Sequence, residues 1–399
     1  MKFQTLQKSG SKFPPSTISR LFLLAVTLFA LASGPAQAQT FTILHKFGAA
    51  PDGANSEGGV ILDAAGNIYG AAYRGGPQFI EPCDTGCGTV YKLDASGNQT
   101  VLHNFRYTDG AWPLGKLVRD AVGNFYGATQ IGGPFGLGTI FKMNAAGIIR
   151  TLYAFGSVAG DGNAPTSVLR DASGNLYGTT IAGGAHNAGI IFKIDSAGNE
   201  TILHSFDSLG TTAMSASLIA DAAGNLYGTS STGGSNGVGA IYKLDPAGNY
   251  TELYSFADDA DGGFPAAGLN RDSAGNLYGT ALRGGSFNGG TAYKLDPAGN
   301  LTVLHTFRNR GGDGGLPNSA LVRGPDGNFY GMTQSGGDFG HGTVFLLTPN
   351  GQERVLHSFD AITDSATPAS DPTLDSAGNL YGTVSGFGYD NGLVFKITF

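Results

Sequence analysis

Gly66-Asn67-Ile68-Tyr69-Gly70 returns, with small changes, around Asn124, Asn175, Asn225, Asn276, Asn328 and Asn379. From tyrosine to tyrosine the seven copies are 57, 51, 50, 51, 52 and 51 residues apart. A period near fifty is a repeat architecture, in which each unit buries its apolar face against the next. An Asp and two small residues precede the motif, as in Asp63-Ala64-Ala65-Gly66-Asn67, and an apolar run such as Val60-Ile61-Leu62 precedes the Asp. Each unit therefore reads as strand, tight turn, strand. Asp and Asn fold their side chains onto turn amides, and Gly supplies the left-handed backbone of a short hairpin. The Tyr brings a large buried area and a hydroxyl that needs a partner. The Gly after it leaves no side chain to pack, which suggests close backbone approach.

Four apolar runs recur per period. In the fourth unit run A is Ser217 to Ala220, run B Asn225 to Thr229, run C Gly239 to Leu244 and run D Tyr250 to Phe256, separated by turn signals. Short strands at regular spacing mean an all-β fold. The chain ends decide between a solenoid and a ring. Residues 41–47 (Phe-Thr-Ile-Leu-His-Lys-Phe) form a D run with no A, B or C before it, and residues 392–397 form a C run with no D after it. Seven complete sets exist only if the first strand completes the last unit. The expected fold is a seven-bladed β-propeller of four-stranded blades, with 28 strands, closed by the N-terminal strand. The A–B and C–D turns then share one face. The longer B–C and D–A loops share the other, where departures from the repeat concentrate.

Outside the repeats, Lys2, Lys8, Lys12 and Arg20 precede an apolar segment from Leu21 to Leu31, and Ala36-Gln37-Ala38 is a small-x-small cleavage pattern. Residues 1–38 read as a secretory signal peptide, its apolar core too short for a membrane span, and residues 39–399 as a single domain. Losing those 38 residues removes four basic and no acidic side chains and moves the net charge from −7 to −11. Such an acidic surface repels phosphate backbones and argues against nucleic acid as a partner.

The recurring Gly-Asn-Leu-Tyr-Gly-Thr, the Gly-Gly turn, the Gly-Thr-Val-Phe-Lys-Leu run and the Leu-His-Ser-Phe strand resemble the bacterial tandem-repeat family called GloVer, whose members are often described as choice-of-anchor proteins. The resemblance covers residues 41–399. It implies an exported bacterial propeller and no particular activity. The chain departs from anchored members in ending within a C run at Phe399, without a visible sorting segment.

Candidate chemistry divides into recurring and off-pattern residues. His45, His103, His204, His305 and His357 occupy one place in run D, where Tyr153 and Tyr254 stand in the other two units. A place that accepts His or Tyr reads as a packing and hydrogen-bonding position. His186 and His341 lie in B–C loops, with no nucleophile tied to either. The D–A loops carry Asp-Gly and then Pro, as in Asp109-Gly110-Ala111-Trp112-Pro113. Most of these loops offer one carboxylate, too few for a calcium loop, so they read as turns with an Asp cap. Cys83 and Cys87, in the insertion that lengthens the first period, are too few for a zinc site. They are expected to form a local disulfide stapling a surface insertion. Asn98, Asn199, Asn249 and Asn300 begin Asn-x-Thr at one repeated turn, which turn geometry explains without sugar.

The off-pattern residues assigned to the loop face are Arg74, Tyr107, Trp112, Lys116, Phe135 and Arg283. Aromatics with Arg are common ligand anchors. They point to a binding module for a carbohydrate, a peptide or a cell-surface protein. A structural envelope protein and a polysaccharide lyase or hydrolase are the alternatives, the last lacking an off-pattern cluster of carboxylates or His. No cofactor or metal is called for, and the chain reads as a monomer.

Overall fold

The computed structural model describes residues 39–48, 51–77, 82–207, 217–368, 370–386 and 390–399. The proposed signal peptide, 1–38, lies outside them. Thr40–Thr398 forms one compact unit, in which every regular element among the described residues is a strand. Seven antiparallel sheets make seven blades. Blade one is Val60–Leu62, Ile68–Ala72, Thr89–Leu93 and Gln99–Asn104 as strands A to D. Blade two is Ala111–Arg119, Phe125–Ile131, Thr139–Met143 and Ile149–Ala154. The described strands number 31 rather than 28. Strand A of blade six is split into Gly314–Pro317 and Val322–Arg323, and Gly53–Ala54 pairs with Arg74–Gly75 as a separate two-stranded ribbon.

The ring closes as the chain ends imply. Thr40–Lys46 pairs antiparallel with Leu393–Thr398, from Thr40 opposite Thr398 to Lys46 opposite Leu393. Phe47, just beyond, is buried against Tyr91 of blade one with ring centroids 5.2 Å apart. Phe41 stacks on His357 of blade six at 3.6 Å. One segment thus joins three blades.

The repeated motif is a hydrogen-bond brace. Asp63 Oδ1 accepts the amides of Ala65 and Asn67, and its Oδ2 accepts Asn67 Nδ2 and the Tyr69 hydroxyl. Asp120, Asp221, Asp272 and Asp375 do the same with Tyr126, Tyr227, Tyr278 and Tyr381. In blade six the carboxylate is displaced by two residues, to Asp326, and still reaches the Tyr330 hydroxyl at 2.9 Å. The C–D turns repeat the design without the Tyr, as Asp94 with Ser96 and Asn98. The side chain of Asn98 is thereby committed to its turn.

The glycine after the Tyr makes room chiefly for a ring, while at Gly178 the atom nearest an added Cβ would be the backbone oxygen of Ser167, at 2.4 Å. A Cβ at Gly70 would lie 2.3 Å from the Tyr91 hydroxyl oxygen, and one at Gly331 would lie 2.5 Å from Phe345 Cζ. The strand C aromatic of each blade lies across its strand B glycine.

Cys83 and Cys87 are joined, but the bond is not at the surface. Both residues are fully buried in a core cluster with Phe105 and Leu117, and Trp112 packs against them. The staple also props its neighbours: Gly75 N donates to Thr85 O at 2.9 Å, and Trp112 N to Cys87 O at 2.8 Å. Removing it therefore costs core contacts as well as the loop-closure term of about 2 kcal/mol.

Candidate functional site

The recurring His and Asp residues form one set of contacts. His45 and Asp52, His103 and Asp109, and His305 and Asp313 approach within 3.2, 3.2 and 3.3 Å, and His357 pairs with Asp364. Where the strand carries Tyr, the hydroxyl donates instead: Tyr153 to Asp161 and Tyr254 to Asp261, both at 2.9 Å. The same carboxylates cap loop amides, as Asp161 does for Gly156 and Gly162. His and Tyr interchange because each offers one donor in the same place. Residues 208–216, which follow His204 in the chain, lie outside the described residues.

The residue before the loop Pro has a second task. Trp112, Ala164, Phe264, Leu316 and Thr367 all adopt positive φ, between 53° and 60°. Asn55 takes that place in blade one, at φ 55°. Each donates its amide to the preceding blade, for example Phe264 to Val238 O at 2.7 Å and Leu316 to Gly289 O at 2.8 Å. In blades two, three and six this residue lies near the start of strand A, on the side of the B–C and D–A loops. In most blades it is small or aliphatic; in blade two it is the protein's one Trp.

Around Trp112 this place is unlike its counterparts in the other blades. Tyr73 stacks on Trp112 with centroids 5.6 Å apart and planes 28° from parallel. The Tyr73 hydroxyl donates to Gln130 Oε1 at 2.7 Å, and Arg74 sits 5.9 Å from the Tyr73 ring. Burial lifts the Glu57 carboxyl above its usual range, and the Arg74 charge offsets part of that. Burial and the charge of Glu57 push the Tyr73 phenol up to about 12. Trp112 Nε1 has no hydrogen-bond partner. Aromatic faces, a cation, an amide and a carboxyl thus meet in one corner, from blades one and two.

Of the six residues expected on the loop face, the structure brings Arg74 and Trp112 together. Tyr107 packs against the same core cluster as Trp112, and its carbonyl accepts Gly133 N at 2.7 Å. Phe135 is 53% exposed, but Phe287 at 46% and Phe339 at 60% share its place in blades five and six, so it belongs to a recurring exposed rim. Arg283 covers Phe264 at 5.5 Å, on the far side of the ring. Lys116 is on strand A rather than in a loop. It reaches past Gly58 and Gly59 toward Asp371 of blade seven, with its Nζ 3.4 Å from Pro372 O. Asp371 accepts Ala320 N of blade six at 2.6 Å. Burial lowers the Lys116 pKa and raises that of Asp371, and each charge opposes the shift in the other. The crossing needs glycine beneath it, since a Cβ at Gly59 would lie 2.7 Å from Asp371 O. Reading the sequence missed Glu57, Tyr73 and Gln130. Their signal was available, because Tyr73 and Gln130 hold equivalent places at the ends of adjacent B strands.

A second departure lies between the outer strands. Tyr153 Oη is 2.9 Å from both Asp161 Oδ2 and Glu200 Oε2. One hydroxyl proton serves one carboxylate, so a further proton is favoured on Glu200. Burial and the neighbouring Asp161 charge raise its pKa. The folded state then binds this proton at pH values where the unfolded chain has released it. The stabilising contribution is complete below the ordinary glutamate range and is lost as pH rises toward neutrality. Glu200→Gln is expected to raise the melting temperature at pH 8 and leave it unchanged at pH 4. Equal melting shifts at both pH values would remove this account.

Similarity to known proteins enters at two levels. The profile of the Gloeobacter/Verrucomicrobia repeat matches residues 25–224 and 210–395. The fold resembles the extracellular domain of a protein from B. thetaiotaomicron described as a hybrid two-component system, with TM-score 0.57, 15% identity, and coverage of 89% of this chain and 41% of that one. It also resembles the extracellular domain of a one-component system from the same organism, with TM-score 0.57, 10% identity, and coverage of 89% and 39%. The chain thus spans about two fifths of these structures. No curated protein matches it. Among the described residues no helix is long and apolar enough to cross a membrane.

Proposed function

The chain belongs to the Gloeobacter/Verrucomicrobia repeat family, and from that premise we propose that it is an exported binding module that holds a carbohydrate or a carbohydrate-bearing cell-surface partner at the loop face of blades one and two. The observation that carries this reading is the Tyr73–Trp112 stack with Arg74, Gln130 and Glu57 around it. Sugar rings present apolar faces to aromatic planes and hydroxyls to amides, carboxyls and guanidinium groups. Binding sites combine such apolar walls with a few convergent polar groups. The buried disulfide and the proposed signal peptide support export, and the acidic mature chain disfavours nucleic acid.

Trp112 is the only Trp, so its fluorescence reports on this corner alone. Titration with plant and bacterial cell-wall polysaccharides is expected to give a saturable change in emission. Tyr73→Ala and Arg74→Ala should each weaken it by about tenfold, the loss of roughly 1.4 kcal/mol, with little change in melting temperature. A glycan that binds by calorimetry, leaves Trp112 emission unchanged and tolerates both substitutions would place the site elsewhere. A purely structural role predicts no saturable response to any glycan.

A further inference from the structure

At the outer edge of the ring, the residue that starts each D strand abuts the His or Tyr of the preceding blade. Phe41 stacks on His357, and Tyr250 stacks on His204 at 4.3 Å. Gln99 lies beside Asp52, the partner of His45, and Glu200 meets Tyr153. Ile149 and Leu301 hold the same place in blades two and five. Among the described residues, only between blades five and six does this arrangement combine a His with two carboxylates: His305, Asp313 and Glu353.

One ligand atom from each of the three lies within 4.8 Å of the others. The Glu353 carboxyl differs from Glu200 in having no hydroxyl to serve it. Its Oε1 is buried and has no hydrogen-bond partner. Asp313 is held in place by the Arg308 amide at 2.9 Å, which leaves its other oxygen turned to His305. The three groups border a cavity of ≈ 880 Å³ that opens outward past Phe287 and Arg308.

We propose that His305, Asp313 and Glu353 form a binding site for one divalent transition-metal cation in the groove between blades five and six, with its remaining coordination positions open to the cavity. Zinc-type ions bind imidazole nitrogen and carboxylate oxygen at about 2.0–2.2 Å, so donors around one ion stand up to roughly 4.4 Å apart. The observed spacing is close to that before any ion draws the groups inward. An imidazole in the set favours Zn²⁺ over the ions that prefer all-oxygen sites, such as Ca²⁺ and Mg²⁺. Three protein ligands with an open side describe an accessible rather than a closed structural site.

The internal repeat supplies controls that keep the fold. His305→Tyr installs the residue that two other blades carry at this place, and Glu353→Gln installs the amide found at Gln99. Isothermal titration of the chelator-treated protein with Zn²⁺ at pH 7.5 is expected to show one site per chain. Each substitution should weaken it by about 100-fold or more, since each removes a direct ligand, while the matched His103→Tyr in blade one should leave it unchanged. Binding should release protons and weaken as pH falls, because the ligands must be deprotonated. Circular dichroism before titration establishes that the variants are folded. Absence of one-site binding in the unsubstituted protein, or binding that survives both His305→Tyr and Glu353→Gln, overturns the proposal. Neither result bears on glycan binding at the loop face of blades one and two, which Trp112 reports separately.

Discussion

A chain that begins at Gly48 is expected to melt at least about 10 °C below one that begins at Gln39, or to lose its cooperative transition. The deleted segment supplies the whole outer strand of blade seven, paired from Thr40 to Lys46 with Leu393–Thr398. It also carries Phe41, Ile43 and Phe47, the last 5% exposed. Fully burying an aromatic or aliphatic side chain contributes about 1.5–3 kcal/mol; with Phe47 buried and Phe41 and Ile43 half-buried, the three amount to roughly 3–6 kcal/mol. That is comparable to the 5–15 kcal/mol that holds a typical protein folded. Loss of the strand also bares the backbone of Leu393–Thr398, an edge prone to aggregation. Thermal melts of the two chains, with light scattering to follow aggregation, decide the matter. Equal melting temperatures would show that the first strand is dispensable and that the ring is held by blade-to-blade packing alone.

The second large effect concerns the glycine of strand B. Gly331→Ala is expected to destabilise the protein by about 2–3 kcal/mol. Replacing Gly by Ala ordinarily gains about 0.4–1 kcal/mol by restricting the unfolded chain. Here overpacking wins, because the new Cβ would stand 2.5 Å from Phe345 Cζ and 3.2 Å from Leu321 Cδ2, both side chains fully buried. Phe345→Leu alone opens a small cavity and costs on the order of 1 kcal/mol. Combined with Gly331→Ala, it removes the ring atoms that clash. The double variant should therefore be more stable than the sum of the two losses predicts, by at least about 1 kcal/mol. Urea denaturation of the four proteins measures this coupling. Strictly additive losses would mean that the glycine serves some purpose other than making room for the ring.

Much of the fold was legible because its determinants are local. The Asp that braces Asn67 and Tyr69 is four and six residues away from them. Such contacts leave a fixed spacing in the chain, and seven copies make the spacing unmistakable. The count of A, B, C and D runs then required a ring. The His/Tyr place was also legible as a hydrogen-bonding position, since two chemistries recurring at one site share only a donor and a ring. Its acceptor, the Asp of the next loop, is seven or eight residues on in His45–Asp52 and His305–Asp313. The two were seen separately and not joined.

The candidate sites were legible only in part. Arg74 and Trp112 stood out as departures from the repeat, but their meeting depends on Tyr73, which reaches across from one blade to the next. Phe135 looked singular in the chain and proves to share a rim with Phe287 and Phe339. Lys116 was read as a loop residue, and its partner Asp371 went unnoticed. The cysteines were rightly paired and wrongly placed at the surface, because burial depends on what folds over them, and here that is Trp112.

The sequence by itself determined the repeat, the turn chemistry and the ring closure, all of which rest on short spacings and on matching the two ends of the chain. Only the tertiary structure decided which side chains from different blades share a corner. Lys116 meets a carbonyl 256 residues away, and Glu353 lies beside a His 48 residues before it in the chain. Each pair joins two different units, so no single repeat displays the contact. They are fixed by the rotation from one blade to the next and by the small residues, such as Gly58 and Gly59, that let neighbouring backbones close in.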